Sequence, residues 1–126
     1  MNSSAGVQKR DALDLSILIA AALIAGCVPI CENEVSATVR SPSGKMKAVV
    51  FNRGCGATVG LNTQVSVLST GAALPNDDGN ALIVDEDVPL ALHWESDDSL
   101  QIAGTRSPRV FKQEHVVAGI RISYSK

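Results

Sequence analysis

Aromatic residues are scarce in this chain, and neither sign of charge is in large excess. Phe51, Trp94, Phe111 and Tyr124 are the four aromatics among 126 residues. A packed interior must therefore come from Val, Ile, Leu and Ala, and there is no row of rings on which single-stranded nucleic acid could stack. Eleven Lys and Arg stand against 13 Asp and Glu, with a pI near 5.6. That balance argues against a nucleic-acid partner, which needs clustered cations to displace counterions. The longest apolar run, Leu15 to Ile30, has sixteen residues, short of the ~20 that cross a bilayer. What is present narrows the field further. A hydrophobic content of 45% is too high for intrinsic disorder, and 126 residues suit one modest domain rather than a multidomain enzyme.

The apolar run is preceded by Lys9-Arg10 and stopped by Pro29. A basic start, a short hydrophobic stretch and small residues at its end describe a secretory signal, expected as a helix in the precursor. The alternative is an uncleaved membrane anchor. A buried core helix fits poorly, because the segment is apolar on every face.

The run ends in Leu23-Ile24-Ala25-Gly26-Cys27, which resembles the lipobox of bacterial lipoproteins. In that family the thiol is diacylated and the chain is cut just before the cysteine. The resemblance implies a signal peptide over 1–26, lipidation (palmitate or a similar acyl group) at Cys27, a tether over 27–33 and a domain over 34–126. Burial of two or three acyl chains at ~0.8 kcal/mol per CH₂ gives a stable anchor. Val28 stands where an Asp resembles an inner-membrane retention signal, so in a two-membrane host the expected location is the outer membrane, facing the periplasm. With Cys27 acylated, Cys31 and Cys55 remain, and export to an oxidising compartment implies a disulfide between them. The alternative is two unpaired thiols in a cytosolic protein.

The remainder reads as strands. Val35, Ala37 and Val39 alternate with polar residues, Ser41-Pro42-Ser43-Gly44 supplies a turn, and Lys45–Phe51 resumes the extended pattern, giving a β-hairpin over 34–52. Gln64–Ser69 and Ala81–Asp85 are short β-branched runs. Leu90, Leu92 and Trp94 share a face, Ser96–Ser99 turns the chain, Leu100 and Ile102 return, and Ile120, Ile122 and Tyr124 alternate in a last strand. No amphipathic helix of ten residues follows Cys27. The expected fold is all-β: a small antiparallel sandwich or rolled sheet of six to seven strands, preceded by the hydrophobic signal helix. Its core should draw on Val39, Val50, Val65, Val67, Leu92, Trp94, Ile102, Ile120 and Ile122. Residues 41–51 and 92–102 are similar to hairpins of β-propeller blades, but 100 residues cannot supply four blades of ~40 each.

From Cys31 to about Leu68 the motifs C-E-N-E-V and S-P-S-G-K, with R-G-C-G-A-T-V-G over 53–60, resemble an uncharacterised family of small bacterial envelope proteins, a domain of unknown function. The resemblance implies a fold and a location and no activity. This chain departs from the family pattern at Gly54, Val59, Leu61 and Asn62.

Candidate chemistry is thin. Gly54–Gly60 lacks the Gly-Lys-Ser/Thr ending of a phosphate-binding loop and reads as a structural loop. Asn76–Asn80 lacks the spaced acidic ligands of a calcium loop and reads as a solvated turn, and Asp85-Glu86-Asp87 as an exposed acidic face. His93 and His115 belong to no metal-ligand array, and no G-x-S-x-G elbow activates a serine. The residues therefore point to no catalytic, metal-binding or cofactor-binding site. The leading expectation is a non-catalytic, lipid-anchored envelope module with a protein or envelope partner. An inhibitor or immunity protein acting in the periplasm is a special case. The rival is a small hydrolase using His93 or His115 with Glu95 or Asp85.

Overall fold

A computed structural model of the protein describes residues 30–56, 60–106 and 109–126. The leader, Cys27 and residues 28–29 lie outside the described residues, and with them the expected signal helix and lipidation site. Among the described residues there is no helix long and apolar enough to cross a membrane.

The compact unit runs from Cys31 to Lys126 and is all-β, with no helix among its described residues. It comprises β1 (Glu32–Arg40), β2 (Met46–Gly54), β3 (Asn62–Ser69), β4 (Leu82–Asp85), β5 (Ala91–Ser96), β6 (Ser99–Ala103), β7 (Val110–Gln113), β8 (Val116–Val117) and β9 (Ile120–Ser125). One sheet has the order β1-β2-β3-β4-β7 and the other β5-β6-β9-β8.

Three features differ from the reading of the sequence. Among the described residues there are nine strands, because β7 and β8 add to the seven that alternation identifies. The second sheet is mixed, since β6 and β9 pair in parallel, Ser99 opposite Arg121 and Ala103 opposite Ser125. And β1 begins at Glu32, inside the stretch read as tether.

Both sheets contribute to one aliphatic core. Ala48, Val50, Val65, Val67, Leu82 and Val84 of the first sheet cluster with Trp94, Leu100, Ile102, Ile120 and Ile122 of the second, while Val39 and Leu92 pack at the margin. Trp94 reaches across to the first sheet, its indole N–H donating to the Val39 carbonyl at 3.0 Å. The apolar ring therefore enters the core without leaving its polar atom unpaired. A second tie joins two turns: Asp97 accepts from the Ser43 amide at 2.8 Å, and this bond holds its carboxyl below the ordinary value.

The register β2–β3 is regular, with Val50 opposite Val65 and Phe51 opposite Gln64. Strand alternation places Val50 and Val65 on the inner face and Phe51 and Gln64 on the outer. An outer face is ordinarily solvated in an antiparallel sheet. Here it is not: Val49, Phe51, Gln64 and Ser66 are all buried, Phe51 completely.

Candidate functional site

The cover on that outer face is the segment from Leu74 to Asn80. Each anchor it uses is an outward-facing residue of the sheet. On β1, the Asn33 side chain donates to the Pro75 and Asp77 carbonyls at 2.9 and 3.2 Å. On β2, Arg53 donates to Asn76 Oδ1 at 2.8 Å and pairs with Asp78 at 3.5 Å, while a further N–H reaches Asn33 Oδ1 at 2.8 Å. On β3, Gln64 Oε1 accepts from the Gly79 amide at 2.7 Å and Ser66 Oγ from the Asn80 amide at 3.1 Å. On β7, Lys112 Nζ donates to the Gly79 carbonyl at 3.0 Å. The segment is a strap laid across the sheet.

Two of its residues have local physical reasons. Gly79 passes so close to the strands that a Cβ there would lie 2.8 Å from the Val65 carbonyl oxygen, so only glycine fits. Asn80 extends the sheet with its side chain: Oδ1 accepts from the Val67 amide at 2.8 Å and Nδ2 donates to the Val67 carbonyl at 2.9 Å. β4 begins at Leu82 and pairs with β3 only up to Val65, so the amide side chain stands in for a missing backbone partner. Asn62 does the same between β2 and β3, accepting from the Arg53 amide at 3.0 Å and donating to its carbonyl at 2.6 Å.

The sequence reading of Asn76–Asn80 as a solvated turn is thus corrected. Asn76, Asp77 and Asp78 are exposed, but Gly79 is buried and the whole segment is pinned. No calcium-type arrangement forms, and among the described residues no group of His, Cys, Asp and Glu could hold a metal.

Cys31 and Cys55 form a disulfide with Cα atoms 4.0 Å apart. The pairing has a simple origin. Glu32 faces Gly54 and Asn33 faces Arg53, so the same register carried one residue further sets Cys31 against Cys55. The bridge fastens the start of β1 to the end of β2 at the rim where Asn33 and Arg53 hold the strap.

The structure places the residues of the hydrolase reading at or near the surface. His93 and His115 are exposed, His93 on β5 and His115 between β7 and β8. His115 meets the Tyr124 ring edge-on at 5.6 Å. Glu95 is exposed beside His93 on β5, Asp85 is half-buried on β4, and no carboxylate among the described residues is buried. The Tyr124 hydroxyl donates to the Glu114 carbonyl at 2.6 Å. Desolvation, then the Glu114 charge, pushes its pKa up to about 12. The phenol thus stays neutral, and its hydrogen bond ties β9 to the backbone at Glu114.

Where the strap leaves β1, an open cavity of about 440 Å³ remains, lined by Glu32, Asn33, Val35, Leu74 and Asn76. The sequence marks Glu32, Asn33 and Val35 only as part of C-E-N-E-V and the first strand, and Asn76 as part of a turn, with no sign that they meet. Leu74 and Asn76 arrive from some forty positions away in the chain, so no local pattern links them to Glu32, Asn33 and Val35. With this geometry in view, comparison with known proteins adds nothing further: no family model, no curated protein and no solved structure matches the chain.

Proposed function

We propose that the protein is a lipid-anchored component of a bacterial cell envelope, and that its β-domain is a non-catalytic binding module. The observation that carries this reading is the Cys31–Cys55 disulfide. A disulfide persists in exported proteins and is rare in reducing compartments. It uses two of the three cysteines and leaves the one that closes the hydrophobic leader. The lipobox-like Leu23–Cys27 then supplies the fate of Cys27: acylation, with loss of residues 1–26. Val28 favours the outer membrane, facing the periplasm, in a two-membrane host. The domain meets a partner through its surface rather than performing chemistry; its histidines are exposed and stand on separate elements.

Mass spectrometry of the protein extracted from membranes tests the reading. The expected amino-terminal residue is Cys27 bearing a diacylglyceryl group, and Cys27→Ser should release the protein from the membrane fraction. An intact leader with membrane association unchanged in Cys27→Ser would replace the lipid anchor by an uncleaved helix.

A further inference from the structure

Two features of the domain meet along β1. It is an outermost strand of the five-stranded sheet, nine residues long, with every residue exposed except the half-buried Asn33 and Val39. It lacks the lysine and proline that commonly blunt such edges. Beside its first half lies the cavity that reaches under the strap at Leu74 and Asn76.

We propose that this edge and cavity form a docking site for an extended segment of a partner protein that carries a lysine or arginine. The inference rests on the proposed binding role and names its surface and the chemistry of its partner. A segment added along β1 gains main-chain hydrogen bonds, and alternate side chains stand on the same face as Asn33 and Val35. One of them enters the cavity. Val35, half exposed, and Leu74 offer an apolar floor for methylene groups, and Glu32 offers a carboxylate for the charged head.

The surrounding charge agrees. Glu34 and Asp77 are exposed close by on β1 and the strap, whereas Arg53 is only 12% exposed and is spent on Asn33, Asn76 and Asp78, Lys112 is held by the Gly79 carbonyl, and Arg40 stands at the far end of β1. A cationic segment is therefore attracted and an acidic one repelled.

A second copy of the chain fits less well. The register of β1 shifts between Val35 and Ala37, so two antiparallel β1 strands would set bulge against bulge at the centre of their contact. The half before the shift, with its register fixed by the Cys31–Cys55 bridge, is regular and suits a short segment.

The test uses the full chain in detergent, titrated with a blocked seven-residue peptide of alternating threonine and valine with a central lysine. A matched peptide carries glutamate instead. The lysine peptide should slow amide exchange along β1 and bind about tenfold more tightly than the glutamate peptide, as expected when one exposed ion pair becomes a repulsion. Glu32→Gln should remove most of that preference and Glu32→Lys should invert it, with Trp94 fluorescence reporting an intact fold. Equal binding, no binding, or protection away from β1 overturns the proposal. So does β1 protection that rises with protein concentration in the absence of peptide, which assigns the edge to a second copy. Cys27→Ser should bind the peptides unchanged, so failure of the lipid anchor and failure of the docking site give separate results.

Discussion

In the five-stranded sheet, the central strands β2 and β3 are buried on both faces, by two different means. Its inner face meets the second sheet through Val, Leu, Ile and Trp94, where shape and apolar area suffice. Its outer face is closed by a strap whose position depends on named hydrogen bonds from Asn33, Arg53, Gln64, Ser66 and Lys112. The first cover is non-directional and adapts to volume-conserving changes. The second is directional, and loss of one partner leaves a polar group in the interior unpaired. The chain therefore has a generic core and a specified one, with β2 and β3 between them.

The sharpest way to break this contrast is Phe51→Ala. Phe51 is completely buried on the outer face, and its truncation should cost about 4 kcal/mol, no less than Ile102→Ala in the inner core. Urea unfolding of both variants decides the matter; a loss under ~1 kcal/mol for Phe51→Ala would show that the strap shields nothing. Next in size is the disulfide. Replacing both Cys31 and Cys55 by Ser reopens a link of sequence separation 24, a loss of about 3.5 kcal/mol in the chain-entropy model. It should also raise amide exchange in the strap, because Asn33 and Arg53 share that rim.

Asn80→Ala should cost about 2 kcal/mol, since it strips the Val67 amide and carbonyl of their partner. Faster exchange of the Val67 amide, with the second sheet unchanged, would place the loss on the outer face alone. The smallest effect belongs to Tyr124, which borders the inner core while its hydroxyl is held by the Glu114 carbonyl. Its folded-state pKa is raised to about 12 from 10.0. The neutral phenol therefore adds stability that is complete below pH 10 and fades as pH rises through about 12. Ultraviolet titration of the folded protein should show phenolate appearing late, and Glu114→Gln should bring it earlier.

Legibility followed the same divide. The inner core could be read from alternation: Val50, Val65, Val67, Trp94, Ile102, Ile120 and Ile122 are buried as their spacing implies. β7 escaped because Val110 and Phe111 are exposed on an edge, so no buried alternation marks the strand. The parallel pairing of β6 with β9 escaped because register between distant strands is not a property of either segment. The strap was misread because Asn, Asp and Gly compose solvated turns and pinned loops alike. What separates the two is a set of partners far along the chain, such as Asn33, 42 positions from Pro75. The disulfide was legible for the opposite reason, since an odd cysteine count and a hydrophobic leader are both visible without any structure.

The last strand, β9, lies inside the second sheet, between β6 and β8. Between β6 and β9 the chain leaves that sheet to add β7 to the other, then returns. During synthesis β5 and β6 therefore emerge as a hairpin, and the free edge of β6 finds its second backbone partner only when Ile120–Ser125 follows. The fold cannot close from its first end towards its last. The second sheet stays incomplete until the final strand arrives, as the export proposed above would require of the chain.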